Sequence, residues 1–119
     1  MLRGHRVLVV EDEPLIAHDL QCGLEIAEAG VIGPAYALRQ ALELAVMDGI
    51  TAAIVDIRLQ DKHAGSLIEL LMRRRVPIII YSASNLDEAA RRWPSATIVE
   101  KPAPVARIIE TLAELHIAG

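Results

Sequence analysis

Glu11-Asp12-Glu13, Asp56, Ser82 and Lys101 each stand at, or within two residues of, the end of a short apolar run. Singly, a polar residue after a strand is unremarkable. Together they supply several carboxylates, a hydroxyl and an ammonium. Two carboxylates about 5 Å apart repel by roughly 3 kcal/mol at an effective dielectric near 20, so gathering Glu11, Asp12 and Asp56 in one place calls for cations. Lys101 offsets one charge. A hard divalent ion with oxygen ligands would offset the rest, and Mg²⁺ is typically held by one or two carboxylates, waters and a phosphate. The chain carries no Cys/His cluster that would favour zinc.

Bringing these groups together requires a sheet whose strands end on one side. Residues 51–59 are apolar up to Asp56, as expected of a strand covered on both faces in the middle of a parallel sheet. Its carboxyl edge is where open α/β sheets keep their chemistry. Before it come an apolar run at 7–10 and a helix opened by Pro14 and carried by Leu15, Ile16, Leu20, Leu24 and Ala27, with Gly30 as its stop. A weaker strand follows at 31–36, placed at a sheet edge by Pro34, then a helix from Leu38 to Met47 ending at Gly49. After Asp56 the pattern gives a polar loop over 60–65 and a helix capped by Ser66, running through Leu67, Leu70 and Leu71 to Arg73-Arg74-Arg75, read as a solvated helix end. A fourth strand spans 78–81, a short helix 86–92, a fifth strand 96–99, and a last helix starts at Pro104 and passes through Ile108, Ile109, Leu112 and Leu115. Five strands alternating with five helices over residues 1–119 predict one α/β domain with right-handed crossovers and helices on both faces. Periodicity leaves the strand order open.

Composition narrows the function. The hydrophobic fraction is 53% with only 3% aromatic residues, so the core is aliphatic, unlike a base- or sugar-stacking surface. A net charge of −4 argues against direct nucleic-acid binding. The single Cys22 excludes an internal disulfide and fits a reduced cytosol. The apolar run near the N-terminus is too short for a signal peptide or a membrane span. The expectation is a soluble cytoplasmic domain.

Taken in order, Val-Val-Glu-Asp-Glu-Pro at 9–14, Ile-Val-Asp-Ile-Arg-Leu around Asp56, Ser82-Ala83 and Lys101-Pro102 resemble the receiver domain of two-component response regulators, over essentially the whole chain. The resemblance implies a CheY-like, flavodoxin-like (βα)5 fold, doubly wound, with five parallel strands in the order 2-1-3-4-5. It implies that Asp56 accepts a phosphoryl group from a sensor histidine kinase or a histidine phosphotransfer protein in a phosphorelay. Asp56 would be the carboxylate nucleophile. Glu11, Asp12, Asp56 and the backbone carbonyl of Arg58 would hold Mg²⁺, and Lys101 and Ser82 would meet the phosphoryl oxygens. In the family Lys101-Pro102 is usually cis, and the side chains at Arg58 and Ser84 flank the site. Such a domain is a phosphoacceptor and not an enzyme with turnover. Its output would pass through altered protein contacts, as a monomer or weak dimer.

Several residues have plainer readings. Glu13 suits a helix N-terminus, Ser84 could cap the helix at 86–92, and His18 and His63 read as surface residues. The family's usual aromatic three residues before the lysine is replaced by Ile98, and Tyr81 should face away from Ser82. Gln60 stands where a proline is common, and Gly65 comes one residue late. The rivals are a haloacid-dehalogenase-like Mg²⁺ phosphohydrolase, whose Asp-x-Asp motif the span 11–13 lacks, and a phosphorylation-independent interaction module.

Overall fold

The computed structural model describes residues 1–118, with side chains through Leu115. Strands β1 (Arg6–Val10), β2 (Gly30–Ala35) and β3 (Ala52–Val55) alternate with helices α1 (Pro14–Ile26) and α2 (Leu38–Leu44). A short hairpin of β4 (Arg58–Leu59) and β5 (Lys62–His63) follows, and then α3 (Gly65–Arg73), β6 (Ile78–Ser82), α4 (Leu86–Arg92), β7 (Thr97–Glu100) and α5 (Val105–Ala118). Five strands pair in parallel in the order β2-β1-β3-β6-β7. Counting only the strands of this sheet, that is the expected 2-1-3-4-5.

Alternation along the central strands divides the core in two. Val7 and Val9 of β1 face Leu20 and Leu24 of α1 and Ile108 and Leu112 of α5. Leu8 and Val10 face Ala41 of α2, Leu67, Ile68 and Leu71 of α3, and Ala89 and Trp93 at α4. Both faces of β1 and β3 are therefore covered, which is why their sequences carry no polar alternation. Helix α1 meets α5 so closely at Gly23 that an added Cβ would overlap Val105.

Local signals were less reliable than the pattern. Gly30 opens β2 and does not stop α1; the helix ends at Ile26, and Glu28 turns the chain at φ +73° while the Ala29 N–H returns to the Leu24 carbonyl. Helix α2 ends at Leu44, short of Met47, and Gly49 serves a later turn at φ +88°. Ser66 lies inside the first turn of α3, whose N-cap is Ala64. Asn85, at φ +62°, takes the N-cap of α4 in place of Ser84. Pro34 is on an edge strand, as expected, after a cis peptide from Gly33. In the arginine run Arg74 is more than a solvated end, because its guanidinium donates to the carbonyls of Ala45 at 2.9 Å and Met47 at 3.4 Å.

Candidate functional site

The carboxyl ends of β1, β3, β6 and β7 converge because their registers are nearly level. The Asp56 N–H donates to the Val10 carbonyl at 3.0 Å, and the Lys101 N–H to the Ser82 carbonyl at 2.9 Å. Residues leaving these four strands therefore share one small space.

In that space Lys101 is the hub. Its Nζ lies 2.6 Å from Glu11 Oε1 and 2.7 Å from Asp56 Oδ2. Ser82 Oγ donates to Asp56 Oδ1 at 2.8 Å, and the Arg58 N–H reaches the same oxygen at 3.3 Å. Asp56 is only 8% exposed, Glu11 2% and Ser82 1%. Burying two carboxylates is costly unless a cation and hydrogen bonds answer them, and here each is answered. The remaining oxygen of Glu11 accepts the Glu13 N–H at 3.2 Å, so Glu13, the N-cap of α1, serves the site through its backbone.

Burial pushes the Glu11 carboxyl up to about 6 from an ordinary 4.5, although the Lys101 ammonium and the Glu13 N–H pull it down. For Lys101, burial is the largest single influence and disfavours the ammonium. Hydrogen bonds and charges from Asp56 and Glu11 together outweigh it and hold the lysine above its ordinary value.

Asp12 is the more accessible acid, with Oδ2 accepting the Gln60 N–H at 2.6 Å. One carboxylate oxygen from each of Glu11, Asp12 and Asp56 lies within 4.8 Å of the others, the one such acidic cluster among the described residues. Hard oxygen donors at this spacing, open to solvent through Asp12, fit a Mg²⁺ ion that keeps several waters.

Residues 7–113 match the response regulator receiver domain. The chain belongs to that family. Over 112 residues this receiver is 36% identical to the phyllosphere-induced regulator PhyR of Methylorubrum extorquens, covering 91% of the chain and 42% of that protein. It is 30% identical over 111 residues to the sensory transduction protein LytT of Bacillus cereus, covering 90% of the chain and 45% of LytT. The chain thus spans less than half the length of these relatives. Among solved structures, SdrG from Sphingomonas melonis Fr1 superposes with a TM-score of 0.79 at 29% identity, over 92% of this chain and 93% of that one. A CheY-like receiver from Methanospirillum hungatei gives 0.82 at 21%, over 96% and 93%, and speaks for the fold alone.

The structure brings the side chains of Glu11, Asp12, Asp56, Ser82 and Lys101 together at this edge of the sheet. Arg58 is exposed, with its N–H on Asp56. Tyr81 is buried on the α1–α5 side, where its hydroxyl both donates to the Ala103 carbonyl and accepts the Ala103 N–H, each at 3.0 Å. Ile98 packs on the other side of the sheet. The peptide Lys101-Pro102 is cis. Sequence reasoning missed the Gln60 N–H on Asp12 and the role of His63, which pairs with Glu88 of α4 at 3.1 Å. A backbone donor leaves no signature in the residue types, and the His63–Glu88 pair is 25 positions apart. No described helix is long and apolar enough to cross a membrane.

Proposed function

We propose that residues 1–119 form one response-regulatory domain that accepts a phosphoryl group on Asp56, from the phosphohistidine of a sensor histidine kinase or histidine phosphotransfer protein. The observation that carries this reading is the convergence of Lys101 Nζ and Ser82 Oγ on the Asp56 carboxylate, beside the acids of Glu11 and Asp12. An Asp56 oxygen attacks phosphorus, the P–N bond of the donor breaks, and the departing imidazole nitrogen takes up a proton. The product is an acyl phosphate on Asp56.

Receiver residues divide the work by position. Lys101 already contacts Asp56 and is placed to follow the charge onto the phosphoryl oxygens, where positioning and electrostatics chiefly set the rate. Ser82 gives its proton to Asp56 Oδ1 at 2.8 Å and can turn that donation to a phosphoryl oxygen. Glu11, Asp12, Asp56 and the Arg58 carbonyl are the residues that would hold Mg²⁺, which when bound supplies positive charge against the incoming phosphate. The modified site would bias a two-state equilibrium, and with it the affinity for a protein partner. A cytoplasmic setting and a monomer or weak dimer accompany this reading.

Intact-mass measurement after acetyl phosphate treatment tests it. One phosphoryl increment is expected with Mg²⁺, little without it, and none in Asp56→Asn. Unchanged labelling of Asp56→Asn moves the acceptor elsewhere, and no labelling of the wild type favours a phosphorylation-independent interaction module.

A further inference from the structure

We propose that the β4–β5 hairpin is a lever coupling the acidic site to α4, with Gln60 and His63 as positioning residues at its two ends. The inference rests on reading Glu11, Asp12 and Asp56 as the Mg²⁺ and phosphoryl site.

At the site end, Gln60 begins the two-residue turn in the left-handed region, φ +58°, which glycine alone adopts without steric cost. In that conformation its N–H meets Asp12 Oδ2 at 2.6 Å. The same carboxylate would then serve both a cation and this donor, so a movement of Asp12 toward the cation is passed to the hairpin.

At the far end, the Gly65 N–H donates to His63 Nδ1 at 3.0 Å. Nδ1 is therefore the acceptor nitrogen, and the ring proton sits on Nε2. Nε2 donates it to Glu88 Oε1 of α4 at 3.1 Å. The neighbouring glycine leaves room for the ring: a Cβ at Gly65 would lie 3.0 Å from Nδ1 and 3.2 Å from Cε1. Beyond it stands Trp93, the C-cap of α4, with its ring centroid 6.2 Å from that of His63. Arg92 stacks 4.5 Å over the same indole and pairs with Glu69 of α3 at 2.9 Å.

Helix α4 is the element suited to move. It has seven residues, of which only Ala89 is fully buried, and Glu88 and Arg92 hold it through half-exposed polar contacts. Segments with few buried apolar contacts open most easily. Neither Tyr81 nor position 98, where the family usually carries an aromatic, offers a ring free to turn. Position 98 is Ile, and the Tyr81 hydroxyl is held on both sides by Ala103.

Coupling of this kind is reciprocal: what Mg²⁺ does to α4, the docking of α4 must do to Mg²⁺ affinity. Trp93 is the chain's one tryptophan, and so reports on α4 directly. The experiment titrates Mg²⁺ into the full chain while following Trp93 emission and, in parallel, binding heat. His63→Ala, Glu88→Ala, the double variant and His63→Gln are compared, with circular dichroism to verify the fold of each. Wild-type emission is expected to respond to Mg²⁺. Either alanine variant should still bind, about fivefold more weakly, with the emission response lost. The double variant should be no worse than either single one, and in His63→Gln the new amide should restore part of the response by donating to Glu88. Binding intact with emission and affinity unchanged in both alanine variants would overturn the lever alone. Absence of binding heat in the wild type would overturn the site reading and the lever with it.

Discussion

The Lys101 ammonium stands 2.6 Å from Glu11 Oε1, a contact as short as the one it makes with Asp56. Glu11 is thus a partner of the lysine as well as a candidate ligand, and burial raises its carboxyl toward neutral pH. With its carboxyl raised from 4.5 to about 6, the folded state prefers the protonated form. Its contribution to stability is full below pH 4.5 and is lost as the pH rises through 6. That difference is worth about 2 kcal/mol. Glu11→Gln should therefore be the more stable protein at about pH 7 in Mg²⁺-free buffer, by up to about 2 kcal/mol, with the advantage gone near pH 4.5. Urea denaturation across this range checks it, and an advantage that grows on acidification contradicts it. Wild-type Mg²⁺ affinity, read by calorimetry, should fall as the pH drops through about 6.

Removing the cation tests the opposite side of the pair. Lys101→Met leaves Glu11 and Asp56 buried and facing each other, and breaking such a network typically costs about 3–5 kcal/mol. Because the lysine is held above its ordinary 10.5, its contribution is full below that pH and is lost as the pH rises through the folded value. The loss in Lys101→Met should be partly recovered by millimolar Mg²⁺. Denaturation midpoints with and without Mg²⁺ measure this, and a variant indifferent to Mg²⁺ would show that the acids do not form a cation site.

Tyr81 is predicted to be an anchor. Tyr81→Phe strands both the N–H and the carbonyl of Ala103, which now share one hydroxyl. A loss of roughly 1–3 kcal/mol in stability follows, with the rate of Asp56 labelling unchanged. If labelling slows while stability holds, Tyr81 acts on the phosphoryl site instead.

Gln60 bears on why a common family residue is missing. Gln60→Pro would install the usual proline, yet proline cannot reach φ +58° and has no N–H for Asp12. It should destabilise the fold by about 3 kcal/mol and alter Mg²⁺ affinity. Gln60→Gly fits the turn and should leave both nearly intact, which thermal melts and calorimetry distinguish.

Legibility followed the range of the interaction. The apolar run of β1, the wholly apolar β3 and the short α4 at 86–92 could be read from pattern because burial is imposed residue by residue. The set Glu11, Asp12, Asp56, Ser82 and Lys101 was readable because each ends or closely follows a strand that finishes on one edge. Turn chemistry was not. Glu28, Gln60 and Asn85 take left-handed conformations where the rules favour glycine, and tertiary contacts decide such positions over propensity. The hairpin of β4 and β5 escaped notice because strands of two residues leave no period to detect. His63 looked like a surface residue because the partner that fixes it, Glu88, arrives from another helix.

The overlap that any side chain at position 23 would have with Val105 leaves α1 and α5 with no slack between them. They back the sheet as a single brace, and a shift in one is carried by the other. Against that close pair, α4 with Ala89 as its one fully buried residue is the more lightly held helix, and a partner that senses the state of the acids has reason to grip it.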